Sequence, residues 1–178
     1  MSIRLSTRRA ALAAVVAFTL MSSMASAVWA AGSVTEKLQV GGAVRAPLTL
    51  TVDDLRAFPA DQIGIFTLKK EVDGREQSTT VRGVRLAALL EKAGVVSKDR
   101  HEWKYMAVLA TASDGYKVAF SWPELTNTDV GAGVLVIFER DGQPLDDGEG
   151  RIALVSGRDL RSGPRHVKWL SKIEIKPL

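Results

Sequence analysis

The side chains best suited to chemistry form a basic run near the C-terminus. Arg165, His166 and Lys168 lie around one valine, and Trp169 follows directly. A guanidinium donates a planar fork of hydrogen bonds to oxygen acceptors, an imidazole donates or accepts according to its tautomer, and an ammonium adds a point charge. The run therefore offers hydrogen-bond donors to carbonyl, hydroxyl or phosphate oxygens, and is the first candidate for one wall of a binding site.

Two further groups of residues are predicted to complete that site. Ser113, Asp114 and Tyr116 belong to a hairpin-like segment in which Asp114 would accept from an amino group, Ser113 would bridge, and Tyr116 would stack or donate. Because Asp-Gly is also a common hairpin turn, a purely structural role is the alternative. Arg158 and Arg161 precede the basic run and would close over a ligand, with an exposed loop as the alternative.

The tryptophans are candidates for both stacking and packing. Lys168 and Trp169 point to opposite faces if the run is extended, so we predict Lys168 at the site and Trp169 beneath it as a core aromatic. Trp103 and Trp122 could serve as stacking platforms, although core packing is the favoured interpretation for both.

Several reaction types are excluded by composition. The chain contains no cysteine, which removes disulfides, thiolate nucleophiles and thiolate metal ligands. Its two histidines, His101 and His166, have no carboxylate cluster at metal-binding spacing, and His101 is expected on a surface loop. The segment Val155-Ser156-Gly157 lacks the first glycine of a nucleophile elbow. No metal site and no covalent catalysis are predicted.

The N-terminal segment is typical of an export signal. Arg4, Arg8 and Arg9 are followed by apolar residues 10–21 and by the cleavage-like Ala25-Ser26-Ala27. We predict a signal peptide over residues 1–27, cleavage between 27 and 32, and a periplasmic mature protein. The arginine pair leaves both general secretion and twin-arginine export open.

Removal of this segment changes the charge balance. Three of the 24 Lys and Arg residues lie in it, which leaves 21 basic residues against 20 acidic ones. A nearly neutral domain argues against nucleic acid as a partner and against direct membrane insertion, so positive charge matters only where it clusters.

The remaining residues, 33–178, are predicted to form one strand-rich domain of the α+β class. Helix signals are a capping box at Thr51 before residues 52–58, and a leucine-rich face over residues 85–93 that ends at Gly94. Alternating or β-branched runs predict strands at residues 37–44, 63–72, 79–84, 104–111, 116–121, 134–140, 151–156 and 172–176.

Several segments together resemble the molybdopterin-binding domain of sulfite-oxidase-like oxidoreductases. They are residues 84–94, 114–116, 141–145 and, most specifically, Arg165-His166-Val167-Lys168-Trp169-Leu170, and the resemblance covers about residues 35–175. It implies the fold of that family and a site in which the segment before the last strand lies against a pterin cofactor, with basic groups at the polar edge and phosphate.

One position departs from the family pattern. The enzymes hold molybdenum through a cysteine thiolate in a Thr-Leu-x-Cys context, where this chain has Thr67-Leu68-Lys69-Lys70. An ammonium at Lys70 is not a molybdenum ligand, and no other cysteine exists to substitute for it. The resemblance is therefore to the small periplasmic pterin-binding proteins of this fold, the PruR type, and implies neither molybdenum nor catalytic residues.

For such a protein the resemblance implies a sensor. It would bind a reduced pterin, dihydro or tetrahydro, and signal to the periplasmic domain of an inner-membrane enzyme that makes or degrades cyclic di-GMP. Two alternatives stay open: a molybdopterin-dependent oxidoreductase subunit that holds its cofactor without a thiolate, and an interaction module that uses the basic run as a docking surface.

Overall fold

The first of two β-sheets carries the C-terminal strand near its centre. The computed structural model describes residues 32–99 and 101–178, so the predicted signal peptide lies outside the described residues. This sheet has the order β2-β1-β10-β5-β6, formed by β1 (Leu38–Gly42), β2 (Leu48–Leu50), β5 (Met106–Ala112), β6 (Lys117–Ser121) and β10 (Leu170–Pro177). β1 and β10 are parallel and the other neighbours antiparallel. The basic run therefore leads directly into a strand with partners on both sides.

The second sheet is built around β7. Its strands are β3 (Ile63–Val72), β4 (Arg75–Arg85), β7 (Val134–Arg140), β8 (Gln143–Pro144) and β9 (Ala153–Ser156), with β8 and β9 both paired to β7 on the side away from β4. Asp73-Gly74 and Asp141-Gly142 have positive φ at both residues, as two-residue hairpin turns require. The predicted strand at 79–84 extends back to Arg75, because so short a turn brings its flanking residues into register.

Among the described residues, four short α-helices connect the strands: α1 (Val52–Arg56), α2 (Leu86–Ala93), α3 (Trp122–Asn127) and α4 (Asp129–Ala132). The predicted capping box at Thr51 is present, and α2 ends at Gly94 with φ 67°. The predicted start of the strand at 104–111 is wrong, since residues 102–105 form a 3₁₀ turn and β5 begins only at Met106. Within the described ranges, no helix has the length and apolarity needed to cross a bilayer.

The core is divided by the second sheet. Val134, Val136 and Phe138 pack into the larger cluster with β1, β10 and α2, whereas Leu135 and Ile137 face a smaller cluster with Phe66. This alternation is the two-residue period of a strand that is buried on both faces. The strand-rich α+β class predicted from the sequence is confirmed.

Candidate functional site

Three basic side chains meet one buried carboxylate. Glu149 Oε1 accepts from Arg140 Nη1 and from Lys168 Nζ, both at 3.1 Å, and Glu149 Oε2 lies 2.8 Å from His166 Nε2. The Glu149 side chain is only 9% exposed. We call Glu149, Arg140, His166 and Lys168 the Glu149 cluster.

Backbone pairing directs two of these side chains to the same place. Val167 is fully buried and exchanges two backbone hydrogen bonds of 2.8 Å with Leu154 of β9. Residues on either side of it in an extended segment project away from it, to a common face. His166 and Lys168 therefore both reach Glu149, and the Arg-His-Val-Lys order is a consequence of this geometry.

The cluster has a surplus of positive charge. Burial raises the pKa of Glu149, but the hydrogen bond and charge of His166, together with Lys168 and Arg140, outweigh it and lower that pKa to about 2. One carboxylate thus faces the basic side chains of Arg140, Lys168 and His166. The carboxylate does not neutralise the cations completely, so further acceptor oxygens would be favoured there.

Two buried polar atoms lack partners at the same loop. Among the described residues no acceptor is found for Arg140 Nε and no partner for Thr35 Oγ1. Arg140 bonds Glu149, and the Thr35 amide donates to the Gly150 carbonyl at 3.1 Å. Native structures pair nearly all buried polar groups, so two unpaired atoms in residues that bond Glu149 and Gly150 indicate an incompletely satisfied site.

Trp169 supports this loop from beneath. It has φ 48°, its amide donates to the Glu149 carbonyl, and its Nε1 donates to the Asp147 carbonyl, both at 2.9 Å. A Cβ added at Gly150 would lie 2.4 Å from the indole Cδ1, so only glycine fits against the ring. Trp169 was expected beneath the site, and its contacts with this loop agree with that position. The prediction that it is a core aromatic is wrong, because Trp169 is half-buried and belongs to neither core cluster.

The predicted hairpin lies against the basic run. The Ser113 amide donates to the Trp169 carbonyl at 2.9 Å, and the Tyr116 hydroxyl donates to the Pro164 carbonyl at 2.6 Å. The Ser113 hydroxyl exchanges hydrogen bonds with the Ser33 backbone, and Asp114 Oδ1 accepts from the Tyr116 amide at 2.8 Å. The hairpin is thus brought to the site, with its polar groups already bonded within the chain.

Arg165 has a different environment from its neighbours. Its Nε donates to Asp159 Oδ2 at 2.5 Å, its Nη2 donates to Asp159 Oδ1, and its Nη1 donates to Glu124 Oε1 at 2.7 Å. The guanidinium carbon lies 4.8 Å from the centre of the Phe120 ring. Hydrogen bonding to Asp159 raises the pKa of Arg165, because the carboxylates favour its charged form. We call Arg165, Asp159 and Glu124 the Arg165 cluster.

The remaining predicted residues are spread more widely. Arg158 Nη1 lies 3.2 Å from Asp129 Oδ1 of α4, and Arg161 is exposed on the loop before the 3₁₀ turn Gly163–Arg165. Lys70, which the resemblance predicts at the position of the family cysteine, is exposed on β3 and pairs in register with Gln77. His101 is exposed, as expected. Over the described ranges, no group of three potential metal ligands occurs.

Sequence reasoning missed the residue on which the cluster depends. Glu149 lies in a polar loop with no periodicity, and its partners come from β7 and from the segment before β10. No local pattern marks a carboxylate whose cations are distant in sequence. Asp159 and Glu124 were missed for the same reason.

Two cavities lie beside this region. One of about 490 Å³ is lined by Thr35, Arg56, Phe138 and Arg151, among others. Another of about 320 Å³ lies at the end of α2 and is lined by Trp103 and Trp122, whose ring centres are 4.8 Å apart. Both tryptophans also pack against the core, as the favoured interpretation predicted.

Comparisons with known proteins identify the family of the chain. A family model described as the oxidoreductase molybdopterin binding domain matches residues 27–177. Mitochondrial sulfite oxidases of Macaca fascicularis and Homo sapiens are 33% and 32% identical over 161 residues, which is 80% of this chain and 29% of each relative. The chain therefore spans less than a third of the length of these relatives.

A solved structure shows the same fold. The sulfane dehydrogenase SoxCD from Paracoccus pantotrophus superposes with a TM-score of 0.60 at 21% identity, over 80% of this chain and 39% of that chain.

Proposed function

The chain belongs to the oxidoreductase molybdopterin binding domain family, and from that premise we propose that it is a periplasmic, non-catalytic protein that binds a reduced pterin. The observation that carries the proposal is the Glu149 cluster, which presents surplus positive donors in a family scaffold without cysteine. Localisation follows from the signal-like residues 1–27.

The donor set suits a pterin without a metal anchor. A pterin is a flat bicyclic ring system with alternating hydrogen-bond donors and acceptors along one edge. A site that binds it needs a few fixed polar groups and an apolar or aromatic face. Lys168 is 44% exposed and can turn to a ligand oxygen, and His166 is held beside it by Glu149. Tyr116, 42% exposed on the adjoining hairpin, supplies an aromatic surface.

Molybdenum is not expected in this site. The resemblance implies a cysteine thiolate as the family's molybdenum ligand and Lys70 at the corresponding position, and the chain contains no cysteine. Two or three hydrogen bonds to charged groups, about 1.5–3 kcal/mol each, offset by the cost of association, correspond to roughly micromolar affinity. Such affinity suits a protein that reports ligand concentration to the periplasmic domain of an inner-membrane cyclic di-GMP enzyme.

Calorimetric titration tests whether the protein binds a reduced pterin. The full chain is titrated with dihydropterin, tetrahydropterin and oxidised pterin, and saturable binding of a reduced form is expected. Lys168→Gln should weaken it about tenfold, as loss of one charged hydrogen bond would. Lys172→Gln is the matched control, because Lys172 is equally exposed and pairs with Glu174 outside the cluster. Absence of saturable heat, or equal loss in both variants, would refute the proposed site.

A second candidate is a molybdopterin-dependent oxidoreductase subunit, which is favoured by the enzyme relatives. Metal analysis of protein from a molybdenum-replete host separates the two. Stoichiometric molybdenum would support the oxidoreductase subunit, and protein that binds pterin with no molybdenum would support the sensor.

A further inference from the structure

The cavity at the end of α2 has features that pterin binding does not use. We call it the Trp groove and define it by Arg45, Leu90, Glu91, Val95, Trp103 and Trp122. Its volume of about 320 Å³ lies at the small end of the range for small-molecule sites, about 300–1,000 Å³. Its residues are separate from both the Glu149 and the Arg165 clusters.

Two indoles form the apolar wall of the groove. Trp103 and Trp122 are tilted by 37° at 4.8 Å between ring centres, and both are only partly buried. Large aromatic side chains that remain partly exposed in a concavity offer a face on which another ring gains contact area. Leu90 and Val95 complete this wall.

A positive group is held at one end. The Arg45 amide donates to the Gly94 carbonyl at 2.9 Å, which fixes its backbone to the end of α2. Its guanidinium lies over Gly94, where an added Cβ would come within 2.8 Å of Nε. Arg45 forms no ion pair with any of the described residues.

A negative group lines the same groove. Glu91, in the last turn of α2, is exposed and likewise has no ion-pair partner within residues 32–99 and 101–178. By contrast, the charged side chains of the Glu149 and Arg165 clusters all form ion pairs within the chain. The groove thus combines an aromatic wall with one free charge of each sign.

We infer that the Trp groove binds a free amino acid with a planar aromatic side chain. The carboxylate pairs with Arg45, the ammonium with Glu91, and the ring stacks on the tryptophan pair. A guanidinium fork matches a carboxylate in geometry as well as charge. The inference goes beyond pterin binding and is independent of it.

Each proposed contact is tested by titrating the full chain with amino acids and with analogues that lack one or both of their charged groups. Tryptophan and phenylalanine are expected to bind with a Kd of about 0.1–1 mM, as the ligand efficiency of small molecules allows. Tryptamine lacks the carboxylate, 3-phenylpropionate lacks the ammonium, and N-acetyltryptophanamide lacks both charges. Each should bind more weakly than the amino acid, the uncharged amide most weakly of all.

Variants assign the charges to their partners. Arg45→Gln should weaken tryptophan binding about tenfold without affecting tryptamine, and Glu91→Gln about threefold without affecting 3-phenylpropionate. Arg75→Gln and Glu71→Gln, exposed on the β3–β4 hairpin, are the matched controls. No saturable binding, or variants that bind like their controls, would overturn the inference.

Indole NMR signals locate the ligand. Addition of phenylalanine should shift the Nε1–H resonances of Trp103 and Trp122 and leave that of Trp169 in place. A shift confined to Trp169 would overturn the inference. Lys168→Gln should leave amino-acid binding unchanged, so failure of this site and failure of the pterin site are distinguishable.

Discussion

The two charge clusters built on the basic run, the Arg165 cluster and the Glu149 cluster, have inverse composition. In the Arg165 cluster one cation faces two carboxylates, whereas in the Glu149 cluster one carboxylate faces two cations and an imidazole. The donors of Arg165 are largely used within the chain, and its side chain is 22% exposed. Adjacent residues of one basic run therefore have different roles: Arg165 connects the loop to β6 and α3, and His166 and Lys168 remain at a site with surplus charge.

The difference shows that basic residues in a family motif need not all face the ligand. Arg165 was predicted as a ligand donor, and that role stays a prediction, but a ligand would have to compete with Asp159 and Glu124 for the same hydrogen bonds. Competition with two charged acceptors is costly. Four measurements test whether Arg165 stabilises the fold while the Glu149 cluster keeps surplus positive charge for a ligand.

Arg165→Ala is expected to have the largest effect on stability. It leaves Asp159 and Glu124 without their cation and removes packing against Phe120, so the free energy of unfolding should fall by about 3–4 kcal/mol. Urea denaturation measures it. The control is Arg161→Ala, an exposed arginine on the loop before the basic run, which should change stability by less than about 0.5 kcal/mol. A variant that is as stable as the control but does not bind pterin would reverse the assignment.

Glu149→Gln should destabilise the protein by about 2–3 kcal/mol at pH 7, because the cations lose their counter-charge. The pKa of Glu149 is lowered from 4.5 to about 2, so its stabilisation is complete above pH 4.5 and is lost as the pH falls toward 2. Denaturation midpoints of the two proteins should therefore converge between pH 5 and pH 2. A constant difference across that range would contradict the coupling.

Gly150→Ala tests the support beneath the Glu149 cluster. Gly150 has φ 88° and lies against Trp169, whereas Gly142 has φ 76° and nothing within 4 Å of an added Cβ. Gly142→Ala should cost about 1 kcal/mol for its left-handed backbone, and Gly150→Ala a further 1–2 kcal/mol or so for overpacking. Thermal unfolding compares them, and equal losses would show that the indole moves aside freely.

Lys69→Gln measures how much an exposed ion pair contributes to the free energy of unfolding. Lys69 lies 3.0 Å from Glu76 on the β3–β4 hairpin, and both side chains are more than 60% exposed. Its loss should change the free energy of unfolding by less than about 0.5 kcal/mol. A loss comparable to that from Glu149→Gln would mean that burial does not distinguish the cluster from the surface.

Local signals predicted much of the fold. The Asp-Gly pairs at 73–74 and 141–142 are typical of tight turns, because few residues tolerate positive φ. The capping box at Thr51 was predictable because its two hydrogen bonds need only residues three apart. The start of β5 was missed, because the β-favouring composition of residues 104–111 does not reveal that the chain first makes a 3₁₀ turn.

The sequence by itself determined the family, the absence of a thiolate ligand and the order of the basic run, since these depend on residue identity and spacing alone. Only the tertiary structure decided which basic residue faces which carboxylate. Glu149, Asp159 and Glu124 come from separate loops and a helix, and pairing with Leu154 turns His166 and Lys168 to one side. Charges interact through space, over distances that sequence separation does not encode.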